Sequence, residues 1–510
     1  MYGSTRAFCE ERLAPTSIYR LLAEQGGRLF ADESFADLFH DAGRRSVPPR
    51  IVATVMVLQR IEGASDREAV DRFAFDLRWK YAAGELAADY ASFAHTVLVD
   101  MRARLRASER PNRIFDATLE MAKSAGLVGR KRVLDSTALY DAVATQDTVT
   151  MIRSAIRALL RVAGEPLSSE LRSVLQRRDD YEDAGKPTCD WDDAAAREAL
   201  VDALAKDGYA ALALLDGRAL CDEIKTTAAL LATVMGQDLE PRDDGAFRIA
   251  RRVAHDRIIS TVDPEARHGH KTASRGFDGY KGHVAIDPDS EIITATEVTA
   301  GNAGDASAAE SLLRDVLLTT QSEVTPPTAN ERAEVYGDAS YGTADLVEKV
   351  QAGGVEANMK VQPPSPPRVG MFSQDDFVVD TQADTVTCPR GMLVVLRTSK
   401  DASKVADFAA HCDGCPLRVQ CTLSKGGRSV RLHPKHELLD GARKRQRDPE
   451  WRARYRATRP KIERKIAHLM RRKHGGRRAR MRGRARVAHD FALLAAAINL
   501  ARLAKLAAQV

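Results

Sequence analysis

Long apolar runs are missing from this chain. The longest, Phe491 to Leu506, is broken by Asn499, Arg502 and Lys505, so it reads as a buried core helix and not as a membrane span. No basic-then-apolar leader opens the sequence, and a cytoplasmic location with no membrane partner is expected. Cysteine is scarce and odd in number, seven in all, and four of the seven crowd into one short stretch. That distribution suits a reducing compartment and a metal better than a disulfide framework. Internal repeats are absent too. What is present is an ordinary globular composition, 44% hydrophobic and 29% charged over 510 residues, enough for two or three domains with real cores.

The net charge of +6 conceals an asymmetry. Residues 441–490 hold 20 Lys and Arg against 4 Asp and Glu, a local +16 that leaves the remainder at −10. Trp451, Tyr455 and a helical apolar pattern interleave with the arginines, which a solvated tail would lack. Arginine at this density suits phosphate, so a nucleic acid is the first partner to consider.

Residues 1–110 read as helices joined by short turns. Ile51 to Ile61 is one apolar-periodic helix introduced by Pro48-Pro49, and Ser65-Asp66-Arg67-Glu68 has the form of a capping box opening the next. Two helices around a tight turn fit a helix-turn-helix DNA reader, or simply a packing unit. Residues 130–362 with 448–510 read as one α/β unit. Val133-Leu134-Asp135-Ser136-Thr137 is a short strand, followed at 148–255 by a helical insertion. The period then changes to two, with a hairpin around Asp287-Pro288-Asp289-Ser290. A helix from about Ala306 to Thr320, a strand ending in Asp338, a helix near Thr343–Gln351 and a strand over Val355–Val361 complete it. This is the element order of a ribonuclease-H-like mixed sheet flanked by helices, with acids ending its first and fourth strands. Residues 363–427 are rich in Pro and Cys and show little periodicity.

Making or breaking a phosphodiester at neutral pH needs an activated oxygen and charge stabilisation on the leaving one. Two divalent ions held by carboxylates supply both, and magnesium asks for only a few carboxylates. Asp135 and Asp338 meet that need, with a helical Glu to complete the set. An Asp at a strand end is otherwise a turn or capping residue. Tyr455, Arg459 and Glu463 recur at intervals of four, one stripe of a helix, beside an apolar stripe of Ile462, Ile466 and Leu469. Pro460 is placed to kink that helix. A Glu among so many arginines is otherwise a salt-bridge partner.

Four stretches resemble the bacterial insertion-sequence transposases of the DDE type. Val133–Thr137 is similar to their first-acid strand. Phe277-Asp278-Gly279-Tyr280-Lys281-Gly282-His283, followed by Val298–Asn302 and Asp305, is similar to their aromatic-Gly-Tyr-Lys strand. Tyr336-Gly337-Asp338-Ala339-Ser340-Tyr341-Gly342 is similar to the second-acid motif and is the most specific match. Arg459 to Glu463, then Arg478–Gly483 and Asn499-Leu500, resemble the third-acid helix and its sequel. The family's Tyr-Arg-Glu-Lys signature has a two-residue gap between Tyr and Arg, whereas three residues separate Tyr455 from Arg459. Seven places after Glu463 stands Met470 instead of lysine.

The resemblance implies cleavage at an element's terminal repeats, then attack of the freed 3′ hydroxyl on target DNA at the same Mg²⁺ (or Mn²⁺) site of Asp135, Asp338 and Glu463. It implies a homo-oligomer on DNA, near the nucleoid. The residues expected at DNA are Lys281, Tyr455, Arg459, Arg471, Arg472, Lys473, Arg478, Arg480 and Arg482. Two other readings share these residues: a DNA-binding derivative without catalysis, and a nuclease that hydrolyses without joining. Cys388, Cys412, Cys415 and Cys421 suit a structural zinc, with four reduced cysteines packed in an insertion as the alternative. A cysteine-rich insertion of this kind is found in related transposases. His268 and His270 read as a loop entering the hairpin. Lys281 and His283 share a strand face that looks toward the acids or into the core.

Overall fold

The computed structural model describes residues 4–39, 47–143, 145–177, 181–272, 274–322 and 332–507. Residues 1–3 and 40–46, within the N-terminal helical region read from sequence, lie outside the described residues.

A six-stranded mixed sheet organises the molecule. Its central strand is Lys131–Tyr140. On one side that strand pairs antiparallel with the long strand Arg275–Ile286, which pairs in turn with Ile293–Ala300 and, through its first residues, with Arg267–Thr272. On the other side it pairs in parallel with Glu334–Gly337, and that strand in parallel with Glu356–Met359. The expected hairpin is present. Asp287 holds its turn by accepting from the Asp289 and Ser290 N–H groups, both at 2.9 Å.

Three expectations change. Asp135 sits in mid-strand, because Leu139 and Tyr140 continue the antiparallel ladder to Tyr280 and Gly279 beyond the run of obvious apolar residues. His268 and His270 belong to a strand and not a loop, since the Arg267–Thr272 backbone pairs with Phe277 and its neighbours. The single helix over 306–320 is broken into a 3₁₀ turn, Asp305–Ala308, and two helices, Ala309–Leu312 and Arg314–Ser322.

The N-terminal helices are not a separate body. Helix Pro49–Glu62 starts on proline and stops at Gly63 in the left-handed region (φ 67°), and every residue from Ile51 to Ile61 is buried. It therefore has no free face to lay in a DNA groove. The next helix, Asp66–Phe75, opens with the capping box read from sequence, both halves formed, and exposes Arg67, Glu68, Asp71 and Arg72. Both helices share one hydrophobic core with the sheet and with the last helix, Arg484–Ala507. That helix is long and apolar enough to cross a membrane, longer than the run read from sequence, yet 83% of its most apolar window is buried in protein, which marks it as a core helix. Buried polar contacts lock the junction. Arg60 reaches Asp490 at 3.2 Å and the His474 carbonyl at 3.2 Å, and the His474 ring bonds the Ile61 carbonyl.

The helices of 148–255 pack around a core of their own. Residues 363–427, expected to show little periodicity, form together with Ser429–Leu432 two three-stranded sheets over a further small core. Strands of two to four residues are too short to print a period of two on the sequence.

Candidate active site

The register of the parallel pair brings the acids together. Val133 lies beside Tyr336; two residues on in each chain stand Asp135 and Asp338, on the same side of the sheet because side chains alternate. Both point at one cation. Arg459 Nη2 lies 3.0 Å from Asp135 Oδ2 and 3.8 Å from Asp338 Oδ2. The Asp135 side chain is only 15% exposed and the Arg459 side chain 9%, whereas Asp338 at 41% faces the cleft.

Local backbone geometry fixes each carboxylate. Asp135 Oδ1 accepts from the Ser136 N–H at 2.8 Å, and Asp338 Oδ1 from the Ser340 N–H at 2.9 Å. The loop after Asp338 needs Gly342, because a Cβ there would stand 1.8 Å from the Lys360 carbonyl oxygen. The third acid comes from a helix pair, Pro449–Thr458 and Pro460–Leu469. Asp448 caps the first, accepting from the Glu450 and Trp451 N–H groups. Arg459 joins the two with helical torsions, so the proline costs a backbone hydrogen bond without turning the chain away.

On that helix pair Tyr455 is buried, stacked on Trp451 and donating to the Gly337 carbonyl at 3.0 Å, directly before Asp338. Ile462 and Leu469 are buried as the apolar stripe foresaw, and Ile466 lines the cleft. Glu463 is exposed and lines the same cleft, and among the described residues it makes no salt bridge. The cleft encloses about 600 Å³ between Asp135, Asp338, Glu463, Arg459, Lys281 and Asp305.

Asp305 is a cleft residue that sequence reasoning did not assign. Its carboxylate accepts from Ser136 Oγ at 2.6 Å and from Lys281 Nζ at 2.8 Å. Its place in the stretch similar to the family's aromatic-Gly-Tyr-Lys strand, three residues after Asn302, was the sign of it. Behind them lies His283, fully buried between Tyr341 OH at 3.1 Å and Thr299 Oγ1 at 2.9 Å; burial pulls its pKa down to about 4. Lys281 thus faces the cleft and His283 faces the core. His270 lines the cleft and His268 bonds Asp278 at 2.7 Å.

The remaining arginines divide. Arg471, Arg472, Lys473 and Arg482 are exposed. Arg478, also exposed, donates through Nε to the Asp141 carbonyl at 3.2 Å, and Arg480 donates to the Ala64 carbonyl at 2.8 Å, inside the junction with the N-terminal helices. The four clustered cysteines line one small cavity with Phe377 and Phe408.

Two family models match. One, described as Transposase DDE domain, covers residues 387–504; the other, Transposase domain (DUF772), covers residues 9–104. Both matches are to transposase domains, and together they support an insertion-sequence transposase of the DDE type. No curated protein and no solved structure matches it. The first match contains Glu463 and the cysteine cluster; Asp135 and Asp338 lie outside both. The two domains support a DNA transposase function, and transposases act on DNA.

DDE domains generally use divalent metal ions, and the acids fit one. Burial pushes the Asp135 carboxyl up, and Arg459, pulling it down, does not fully offset the loss of water. A carboxylate in that position has room for a stronger cation. Among the described residues no three His, Cys, Asp or Glu side chains stand close enough together to hold a metal on their own. Magnesium does not require that, since it retains water and takes further oxygens from the substrate.

Proposed function

We propose that this transposase cuts the ends of its element and joins them to target DNA on a ribonuclease-H-like core, with Asp135, Asp338 and Glu463 as the metal-holding acids. The observation that carries the reading is the convergence of Asp135 and Asp338 on one guanidinium, in a cleft that Glu463 lines. Two Mg²⁺ or Mn²⁺ ions held there would activate the attacking water or 3′ hydroxyl and neutralise the leaving oxygen.

The chain's own residues do the rest. The Ser136 and Ser340 amides orient the two sheet carboxylates before substrate arrives. Tyr455 acts as a positioning residue, its hydroxyl fixing the backbone that carries Asp338. Lys281, held by Asp305, presents positive charge at the cleft wall for a DNA phosphate. The exposed Arg471, Arg472, Lys473 and Arg482 continue that track along the surface, with Arg478 beside it, while Arg480 holds the track to the N-terminal helices. Two element ends must be held at once, so the working form is a homo-oligomer assembled on DNA, at the nucleoid.

The deciding experiment is a strand-transfer assay with Mg²⁺ or Mn²⁺ and labelled DNA carrying the repeats that flank the gene. Joined product that disappears in Asp135→Ala, Asp338→Ala and Glu463→Ala is the expected outcome. Nicked product alone would identify a nuclease, and salt-sensitive binding without cleavage a DNA-binding derivative. A triple Arg471→Ala, Arg472→Ala, Lys473→Ala variant tests the track. Each lost phosphate contact should lower the slope of log K against log salt by about 0.9, so a total drop of about 2 to 3 is expected. An unchanged slope would place the DNA elsewhere.

A structural zinc is proposed for Cys388, Cys412, Cys415 and Cys421, supported by the one cavity they line; no three of them stand close enough to share an ion here, so binding would draw them together. Elemental analysis of purified protein should find about one zinc per chain, as a tetrathiolate site requires, lost in Cys412→Ser/Cys415→Ser. Zinc-free, fully folded protein would return the four to packed thiols.

A further inference from the structure

We propose that Arg459 is a built-in stand-in for the metal: in the DNA-free protein its guanidinium occupies the space between Asp135 and Asp338 and keeps divalent ions out until a DNA phosphate draws it away. The inference rests on the reading that these two carboxylates hold the metal. Its geometry is the ion pair already described, one guanidinium nitrogen 3.0 Å and 3.8 Å from the two carboxylates. A divalent ion seated between the same oxygens would meet that positive charge at contact range, in a site where burial weakens screening. Two carboxylates cannot fully serve both cations.

Three further features suit Arg459 to leaving as well as to staying. Nη1 is buried and makes no hydrogen bond among the described residues, so one arm of the fork is left unused. The guanidinium fork matches a phosphate with two parallel hydrogen bonds, whereas here one nitrogen is shared between two carboxylates. The backbone beside it is interrupted, because Pro460 supplies no N–H to the helix. The cleft that Arg459 lines is open and is lined as well by Lys281, His270 and Lys271, cations or donors that gather phosphate.

The consequence is a coupling. If DNA removes Arg459 from the carboxylates, DNA tightens metal binding, and metal must tighten DNA binding by the same factor. Metal ions in the cell then load the site only where a DNA strand is present to be cut, which keeps a loaded nuclease centre off the free protein.

The test uses the full-length chain and Mn²⁺, followed by the loss of the free-ion electron paramagnetic resonance signal. Arg459→Gln should bind Mn²⁺ without DNA about tenfold more tightly than the unaltered protein. An element-end duplex should tighten Mn²⁺ binding of the unaltered protein by about that factor, and that of Arg459→Gln by less than about threefold. Should Arg459→Gln fail to fold, Arg459→Lys serves; its compact ammonium cannot grip as a fork, and a smaller gain of about threefold is expected. Mn²⁺ affinity of the DNA-free variant no higher than that of the unaltered protein, with Asp338→Asn still abolishing binding, would overturn the stand-in and leave the metal site intact. Undiminished Mn²⁺ binding in Asp338→Asn would overturn the metal site itself.

Discussion

Asp338→Asn should lose cleavage and joining by at least about a thousandfold, ~4 kcal/mol of barrier, while binding element-end DNA as tightly as the unaltered protein. The substitution is well suited to separating chemistry from folding. The Asn amide oxygen can still accept from the Ser340 N–H, so the loop after the strand keeps its anchor. The Asp338 side chain is 41% exposed and stands 3.8 Å from Arg459, at the long end of an ion pair. Its loss therefore costs little stability. What disappears is one of the two carboxylates that converge in the cleft, and an amide is a poor ligand for a hard divalent ion. Asp135→Asn is a less clean experiment. That carboxylate is the close, buried partner of Arg459, and neutralising it leaves a desolvated guanidinium short of a charge. The measurement is single-turnover cleavage beside gel-shift affinity and a thermal melt. Cleavage by Asp338→Asn at the original rate would dismiss the assignment of the site.

The motifs around the proposed acids stand out in the sequence because they are short and their residues have local work to do. Tyr336–Gly342 shows why: Gly337 and Gly342 are needed by close approaches, and Asp338 caps its own loop. Their adjacency was legible only as an expectation, since it depends on which strands pair, and apolar alternation reports burial without naming the partner. The same limit hid the Arg267–Thr272 strand, whose residues Arg, His, Gly, His, Lys and Thr carry almost no β signal; pairing with Arg275–Ile286 imposes the conformation. The caps and periods of the N-terminal helices are self-contained, so their sequence gives no sign of the core they share with the sheet. Their burial against the sheet and the last helix is held by pairs such as Arg60 with Asp490, and a sequence does not announce a contact across so many residues. Tyr455 read as a DNA contact because aromatics among arginines suggest one; the helix instead turns it inward onto Gly337. Glu463 is the opposite case, surrounded by arginines in sequence and yet in no salt bridge among the described residues, where it lines the cleft.

Asn499→Leu should cost about 3–5 kcal/mol, the largest stability loss expected from any polar position here, because two buried backbone groups would each lose a partner at about 1–3 kcal/mol apiece. Asn499 is fully buried within the last helix. Its amide oxygen accepts from the Ile293 N–H and its amide nitrogen donates to the Ile293 carbonyl, both at 2.8 Å. The side chain thus does for the start of Ile293–Ala300 what a neighbouring strand would do, and it closes that edge against the core helix. Leucine has the right volume for the site but leaves the Ile293 donor and acceptor facing hydrocarbon. Against a total of about 5–15 kcal/mol for an ordinary domain, the loss should bring the urea midpoint down sharply and expose the Ile293 amide to hydrogen exchange first. A loss below about 1 kcal/mol would mean that water or a relaxed backbone satisfies Ile293. The Asn499-Leu500 pair, which in sequence looked like part of the third-acid motif, would on this account serve the reaction indirectly. It docks the helix that closes the edge of the sheet, and that sheet carries Asp135.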